Sequence, residues 1–147
     1  MIIYTLGTAG KNPETIFSIL KQASIEHVID VRLDNKALTN GFAKRYLPYF
    51  LSLINIRYNR CLDLAPTRTL LTQYRATNDW SVYACAFIDL MIERCVMSNY
   101  DSNFFHRSVL LGTEPTADFC HRRLVAEFVV MNMDGMPSLN FDDILHL

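Results

Sequence analysis

The sequence predicts a single α/β domain of three layers, Rossmann-like, with a mostly parallel sheet of about five strands between helices. Three observations predict it. Short apolar runs rich in β-formers alternate with stretches whose apolar residues recur at helical spacing. That alternation implies parallel strands covered on both faces. A strand, a helix and a second strand fit within residues 2–31, the size of a βαβ unit. The 147 residues, 50% hydrophobic and 20% charged, suffice for one core and not for two, so the domain is expected to span 1–147.

Each element follows from local chemistry. Ile2 to Leu6 is a short β-forming run stopped by Gly7, which reads as a buried first strand. Asn12 is a good N-cap, Pro13 suits the first helical position, and Glu14 suits the positive end of a helix. Ile16, Phe17, Ile19, Leu20 and Ala23 then share one helical face. Val28 to Val31 forms the second strand, with Arg32 just beyond it, and the crossover is expected to be right-handed and parallel. Leu33 to Gly41 reads as a loop. Tyr46 to Ile54 reads as a helix, with Pro48 confined to its first turn, and Ile56 to Tyr58 as a third strand. Pro66 opens a short helix through Leu70, Leu71 and Tyr74. Asp79 caps a long one to about Met97, carrying Tyr83, Phe87, Leu90, Met91 and Arg94. Arg107 to Gly112 holds a fourth strand, Asp118 caps a helix carrying Leu124, Val125, Phe128, Val129 and Met131, and a loop with Gly135 and Pro137 leads to a terminal strand at 144–147. The first, second and fourth strands, the most continuously apolar, are expected to lie adjacent in mid-sheet.

Composition excludes several classes. The chain is too apolar to be disordered, and no apolar run approaches the ~20 residues of a membrane span. Met1-Ile2-Ile3-Tyr4 lacks the basic flank of a signal peptide, so a cytoplasmic protein without membrane partners is expected. Cys61, Cys85, Cys95 and Cys120 form no C-x-x-C pair, which argues against a disulfide framework and a thiolate zinc site. The net charge of -1 hides an asymmetry: from Arg32 to Arg75 eight basic residues face two acids, a local +6. Arginine outnumbers lysine ten to four, and its fork matches phosphate and carboxylate geometry. This segment is either a solvated basic face or the footprint of an anionic partner.

In open α/β sheets ligands bind beyond the carboxyl ends of the strands. That rule selects the Gly7-Thr8-Ala9-Gly10 loop, Asp30 and Arg32, and Gly112-Thr113-Glu114 with Cys120-His121-Arg122 opening the next helix. The glycine loop has too few glycines for a dinucleotide fingerprint and lacks the lysine of a Walker loop, so it reads as a tight turn.

The stretch 110–124, with Glu114, Pro115 and Cys120-His121-Arg122, resembles the signature of the domain-of-unknown-function family 488. Tyr4-Thr5-Leu6-Gly7 with Gly10, Asp30-Val31-Arg32, Asn55-Ile56-Arg57-Tyr58 and Ile144 to Leu147 are similar to further segments of that family, so the resemblance runs from end to end. It departs at Gly112, where members often carry cysteine, and at Asn55, where glycine is usual. The resemblance implies a site rather than a reaction.

The candidates each carry two readings. Cys120, expected at the second helical position, is a nucleophile activated by the helix dipole, His121 and Arg122, or a small core residue in line with Leu124 and Phe128. His121 is an acid or base, or it orients a loop through a backbone carbonyl. Arg32 binds an anion or pairs with Glu114, and Glu114 is a base or that partner. Asp30 is an acceptor for loop N–H groups. Gly7, Thr8, Gly10, Arg32 and Arg122 are the candidate anion contacts, and Glu114, Cys120 and His121 the candidate catalytic groups. No histidine or cysteine has metal-ligand spacing to His121, and no cofactor is assigned. Two functions stay open: an enzyme, a hydrolase or transferase, acting on a phosphorylated or nucleotide-like substrate, and a non-catalytic module binding a nucleotide or nucleic acid. Tyr46, Tyr49, Phe50 and Tyr58 would then stack bases or fill the core.

Overall fold

A computed structural model describes residues 1–33, 46–133 and 141–147. Its elements in chain order are β1 (Ile3–Gly7), α1 (Pro13–Gln22), β2 (His27–Asp30), α2 (Leu47–Leu53), β3 (Arg57–Arg60), α3 (Arg68–Thr77), α4 (Trp80–Glu93), β4 (Ser108–Gly112), α5 (His121–Asn132) and β5 (Ile144–His146). The strands form one all-parallel sheet in the order β3-β2-β4-β1-β5. The first, second and fourth strands are adjacent at its centre, as their apolar runs require. The loops expected at 34–41 and around Gly135 and Pro137 lie outside the described residues.

The pleat explains the layers. Along β1, β2 and β4, side chains alternate between two hydrophobic clusters. Ile3, Ile29 and Leu110 join Phe87 and Met91 of α4 and Val125 and Val129 of α5. Leu6, Val28, Val109 and Leu111 join Ile16 and Leu20 of α1 and Leu47 and Leu51 of α2. Helices therefore cover both faces of the sheet. β4, flanked by β2 and β1, sends its exit loop to α5 on one face, while β1 and β2 lead to α1 and α2 on the other. Such reversals open a crevice at the carboxyl ends of the strands.

Capping chemistry holds at α1, where the Asn12 side chain accepts from Thr15 N and Pro13 opens the helix, and at α4, where Asp79 accepts from Val82 N. Three helix boundaries differ from expectation. α3 opens at Arg68 behind a Thr67 cap, whose side chain accepts from Leu70 N, rather than at Pro66. α4 stops at Glu93 rather than near Met97. The Arg94 guanidinium donates to the carbonyls of Asp63 and Ala65, and Cys95 turns left-handed at φ 50°, which drives Val96 into the core. α5 is capped by Cys120, not Asp118. Ala117 and Cys120 turn inward and Asp118 and Phe119 outward, so the chain stays irregular until Cys120 has reached the sheet.

Candidate functional site

The centre of the site is a buried ion pair at the end of β2. The Arg32 guanidinium donates to both oxygens of Asp30, Nε to Oδ1 at 2.7 Å and Nη2 to Oδ2 at 2.5 Å. The two side chains are 1% and 0% exposed. Asp30 Oδ1 also accepts from Arg32 N at 3.2 Å, and Oδ2 from the Tyr58 hydroxyl at 2.7 Å. Asp30 is thus the loop acceptor expected, and it is also the partner of Arg32. The expected Arg32–Glu114 pair does not form: Glu114 is exposed on the loop after β4, whereas Asp30 sits only two residues from Arg32 on the same buried strand end. The Tyr58 hydroxyl serves this pair. The Asp30 fork uses Nε and Nη2 and leaves Arg32 Nη1 buried with no hydrogen-bond partner among the described residues.

A pocket of about 500 Å³ opens at this point. Arg32, Leu33, Thr113, Glu114, Cys120 and His121 contribute to its lining from the strand ends, so Arg32, Glu114 and His121 share one concavity as expected. The rule of strand ends does not select the rest of the lining, which comes from the basic segment and the helices beyond it. α3 supplies Arg68, Leu71, Thr72 and Arg75, an i, i+3, i+4, i+7 stripe, and Tyr74, Tyr83 and Phe119 add aromatic surface. The signal for α3 was present in the basic segment ending at Arg75.

His121 has two constraints. Its Nε2–H donates to the Val31 carbonyl at 2.6 Å, and its ring meets Phe87 edge-on at 5.6 Å. Burial lowers its pKa to about 4, and the Arg122 charge adds to that, against the pull of the Val31 carbonyl and Asp30. The imidazole is therefore neutral near pH 7, with Nδ1 as its lone-pair nitrogen. This is the loop-orienting role among the two expected. Cys120 caps α5 in extended backbone instead of sitting at its second position, and is 3% exposed. Burial raises the neighbouring Tyr83 hydroxyl, and Cys120 and Tyr74 raise it further.

Arg122, Gly7 and Gly112 fit together at the carboxyl end of the sheet. Gly7 and Gly112 are register partners at the ends of β1 and β4. A Cβ at Gly112 would lie 2.8 Å from Arg122 Cδ and 3.1 Å from Cys120 Sγ. At Gly7 it would lie 3.2 Å from Arg122 Nη2 and 1.8 Å from the Glu114 carbonyl oxygen. The paired glycines make a notch in the sheet edge that admits the Arg122 side chain, 1% exposed. Arg122 Nη1 donates to the Glu114 carbonyl at 2.9 Å, which fixes the backbone that carries the Glu114 carboxylate. Thr8 N and Ala9 N donate to the carbonyls of Gly112 and Thr113, so these loop donors are consumed by the neighbouring loop. Gly7, Thr8, Gly10 and Arg122 lie outside the pocket lining.

The rest of the basic segment is divided. Arg60 Nη2 donates to the Leu33 carbonyl, Arg57 is exposed on β3, and Lys36, Lys44 and Arg45 lie outside the described residues. Tyr46, Tyr49 and Phe50 are exposed on and beside α2, on the face opposite α3. Among the described residues no group of three or more His, Cys, Asp or Glu is placed to hold a metal ion, and no helix is long and apolar enough to cross a membrane.

A parallel α/β sheet with a cationic pocket at its carboxyl edge defines the class. Residues 12–129 match the family described as domain of unknown function DUF488, and the chain belongs to that family. No curated protein and no solved structure matches it.

Proposed function

We propose that this protein is an enzyme, a hydrolase or transferase, acting on a phosphorylated small molecule in the pocket at the end of β2 and β4. One observation carries the reading: Arg32 is buried, lines the pocket, and keeps Nη1 without a partner among the described residues. A buried guanidinium donor left unmade is costly, and a phosphoryl oxygen satisfies it. The Asp30 fork fixes the orientation of that donor in advance of binding. Arg68 and Arg75 add positive charge on the opposite wall.

Glu114 is the residue for acid–base work. Its carboxylate is exposed at the pocket, on backbone held by Arg122, where it can take a proton from water or an acceptor hydroxyl. His121 acts by holding the Val31 carbonyl, and so the turn that aims Arg32. Cys120 forms part of the buried floor.

Thermal melts in rising inorganic phosphate test the binding step. A saturable rise in melting temperature is expected, by mass action. Arg32→Lys keeps the charge, loses the fork, and should abolish most of that rise. Turnover of a phosphomonoester panel by wild type, lost in Glu114→Gln with the phosphate response retained, tests the chemistry. A Glu114→Gln protein as active as wild type would remove Glu114 from the chemistry, and phosphate binding without turnover of the panel by wild type would leave a binding module.

A further inference from the structure

The pocket lining combines two kinds of side chain. Arg32, Arg68 and Arg75 carry positive charge. Tyr74, Tyr83 and Phe119 are aromatic and belong to one cluster: Tyr74 packs on Tyr83 at 4.9 Å and on Trp80 at 5.7 Å, Trp80 stacks on Tyr83 at 5.2 Å, and Phe119 meets Trp80 edge-on at 5.7 Å. Phe119 lines the pocket and remains 61% exposed. Its edge contact with Trp80 leaves ring surface for another flat group.

We infer that the ligand is a nucleoside monophosphate, its phosphate at Arg32 and its base against Phe119 and Tyr74. The inference rests on the reading of Arg32 as a phosphate site. Arg32, Tyr74 and Phe119 line the same pocket, so one ligand can meet both the guanidinium and the aromatic surface. A volume of about 500 Å³ suits one nucleotide and not a duplex. Stacking needs only a π face, and the hydroxyls of Thr72 and Thr113 and the Glu114 carboxylate are polar groups in reach of the pocket for sugar or base edges.

Titration calorimetry with inorganic phosphate, ribose 5-phosphate and the nucleoside monophosphates tests this. Nucleoside monophosphates should bind roughly 5- to 150-fold more tightly than ribose 5-phosphate, since a stacked base contributes about 1–3 kcal/mol. They alone should change the fluorescence of Trp80, the one tryptophan of the chain. Phe119→Ala, at an exposed position, should remove about tenfold of the nucleotide advantage and leave the phosphate affinity unchanged. Phosphate binding with no preference for nucleotides over ribose 5-phosphate would overturn the inference and leave the anion site standing. Absence of any binding, phosphate included, would overturn both. Tighter binding of a single-stranded oligonucleotide than of any mononucleotide, with steep salt dependence, would also overturn it.

Discussion

Asp30→Asn is the most informative substitution at the sheet edge. The Asp30 carboxylate accepts four hydrogen bonds, three from Arg32 and one from Tyr58, with no exposure to solvent. Asparagine keeps the shape and removes the charge. It also turns one acceptor into a donor, which faces the guanidinium or the Tyr58 hydroxyl. Removing one partner of a buried pair leaves the other charge uncompensated, which costs about 3–5 kcal/mol. At roughly 2–4 °C per kcal/mol for a domain of this size, the melting temperature should fall by about 6–20 °C. Tyr58→Phe sets the scale, because it deletes one hydrogen bond to the carboxylate and keeps the ion pair, at about 1.5–3 kcal/mol. The assay is a thermal or urea melt of the three proteins, repeated in phosphate. The Asp30→Asn protein should gain more from phosphate than wild type, since its guanidinium lacks a counter-charge. An Asp30→Asn protein within about 1 kcal/mol of wild type would refute the buried-charge reasoning.

Three further outcomes follow from the same geometry. Gly7→Ala places a Cβ 1.8 Å from a backbone carbonyl and should cost about 3 kcal/mol or more, whereas Gly10→Ala, with open space and φ of +73°, should cost only about 1 kcal/mol; urea melts separate them. His121 is depressed from 6.5 to about 4, so its contribution is complete above pH 6.5 and is lost as pH falls towards 4, by about 3 kcal/mol; the difference between wild type and His121→Gln across that window should shrink accordingly. Glu114→Gln, at an exposed position without a buried partner, should change stability by no more than about 0.5 kcal/mol in the same melts, where an Arg32–Glu114 pair would have cost several times that.

The sequence exposed whatever depended on local chemistry. Asn12, Pro13 and Asp79 announce their helices because a cap acts within three residues. Ile3, Ile29 and Leu110 announce central strands because burial on both faces demands continuous apolar runs. The carboxyl-edge rule brought Arg32, Glu114 and His121 to one pocket without any contact being visible. Pairings across space were hidden. Arg32 chose Asp30 because the two share a strand end, while Glu114 stayed on an outer loop. The purpose of Gly7 and Gly112 became visible only with their register, since a notch for Arg122 needs both strands side by side. The α3 wall was hidden for a similar reason: the stripe from Arg68 to Arg75 reads as an ordinary polar helix face until the helix is packed beside the strand ends.

The central claim is that Arg32 Nη1 awaits an anionic oxygen. A crystal structure of the protein grown or soaked with phosphate, refined beside one of Arg32→Lys, tests it most directly. The account predicts a tetrahedral anion within hydrogen-bond distance of Arg32 Nη1, inside the pocket between the end of β2 and α3, and its loss in the variant. A wild-type crystal with phosphate bound only elsewhere, and Nη1 satisfied by a side chain or a water sealed away from the pocket, would contradict it.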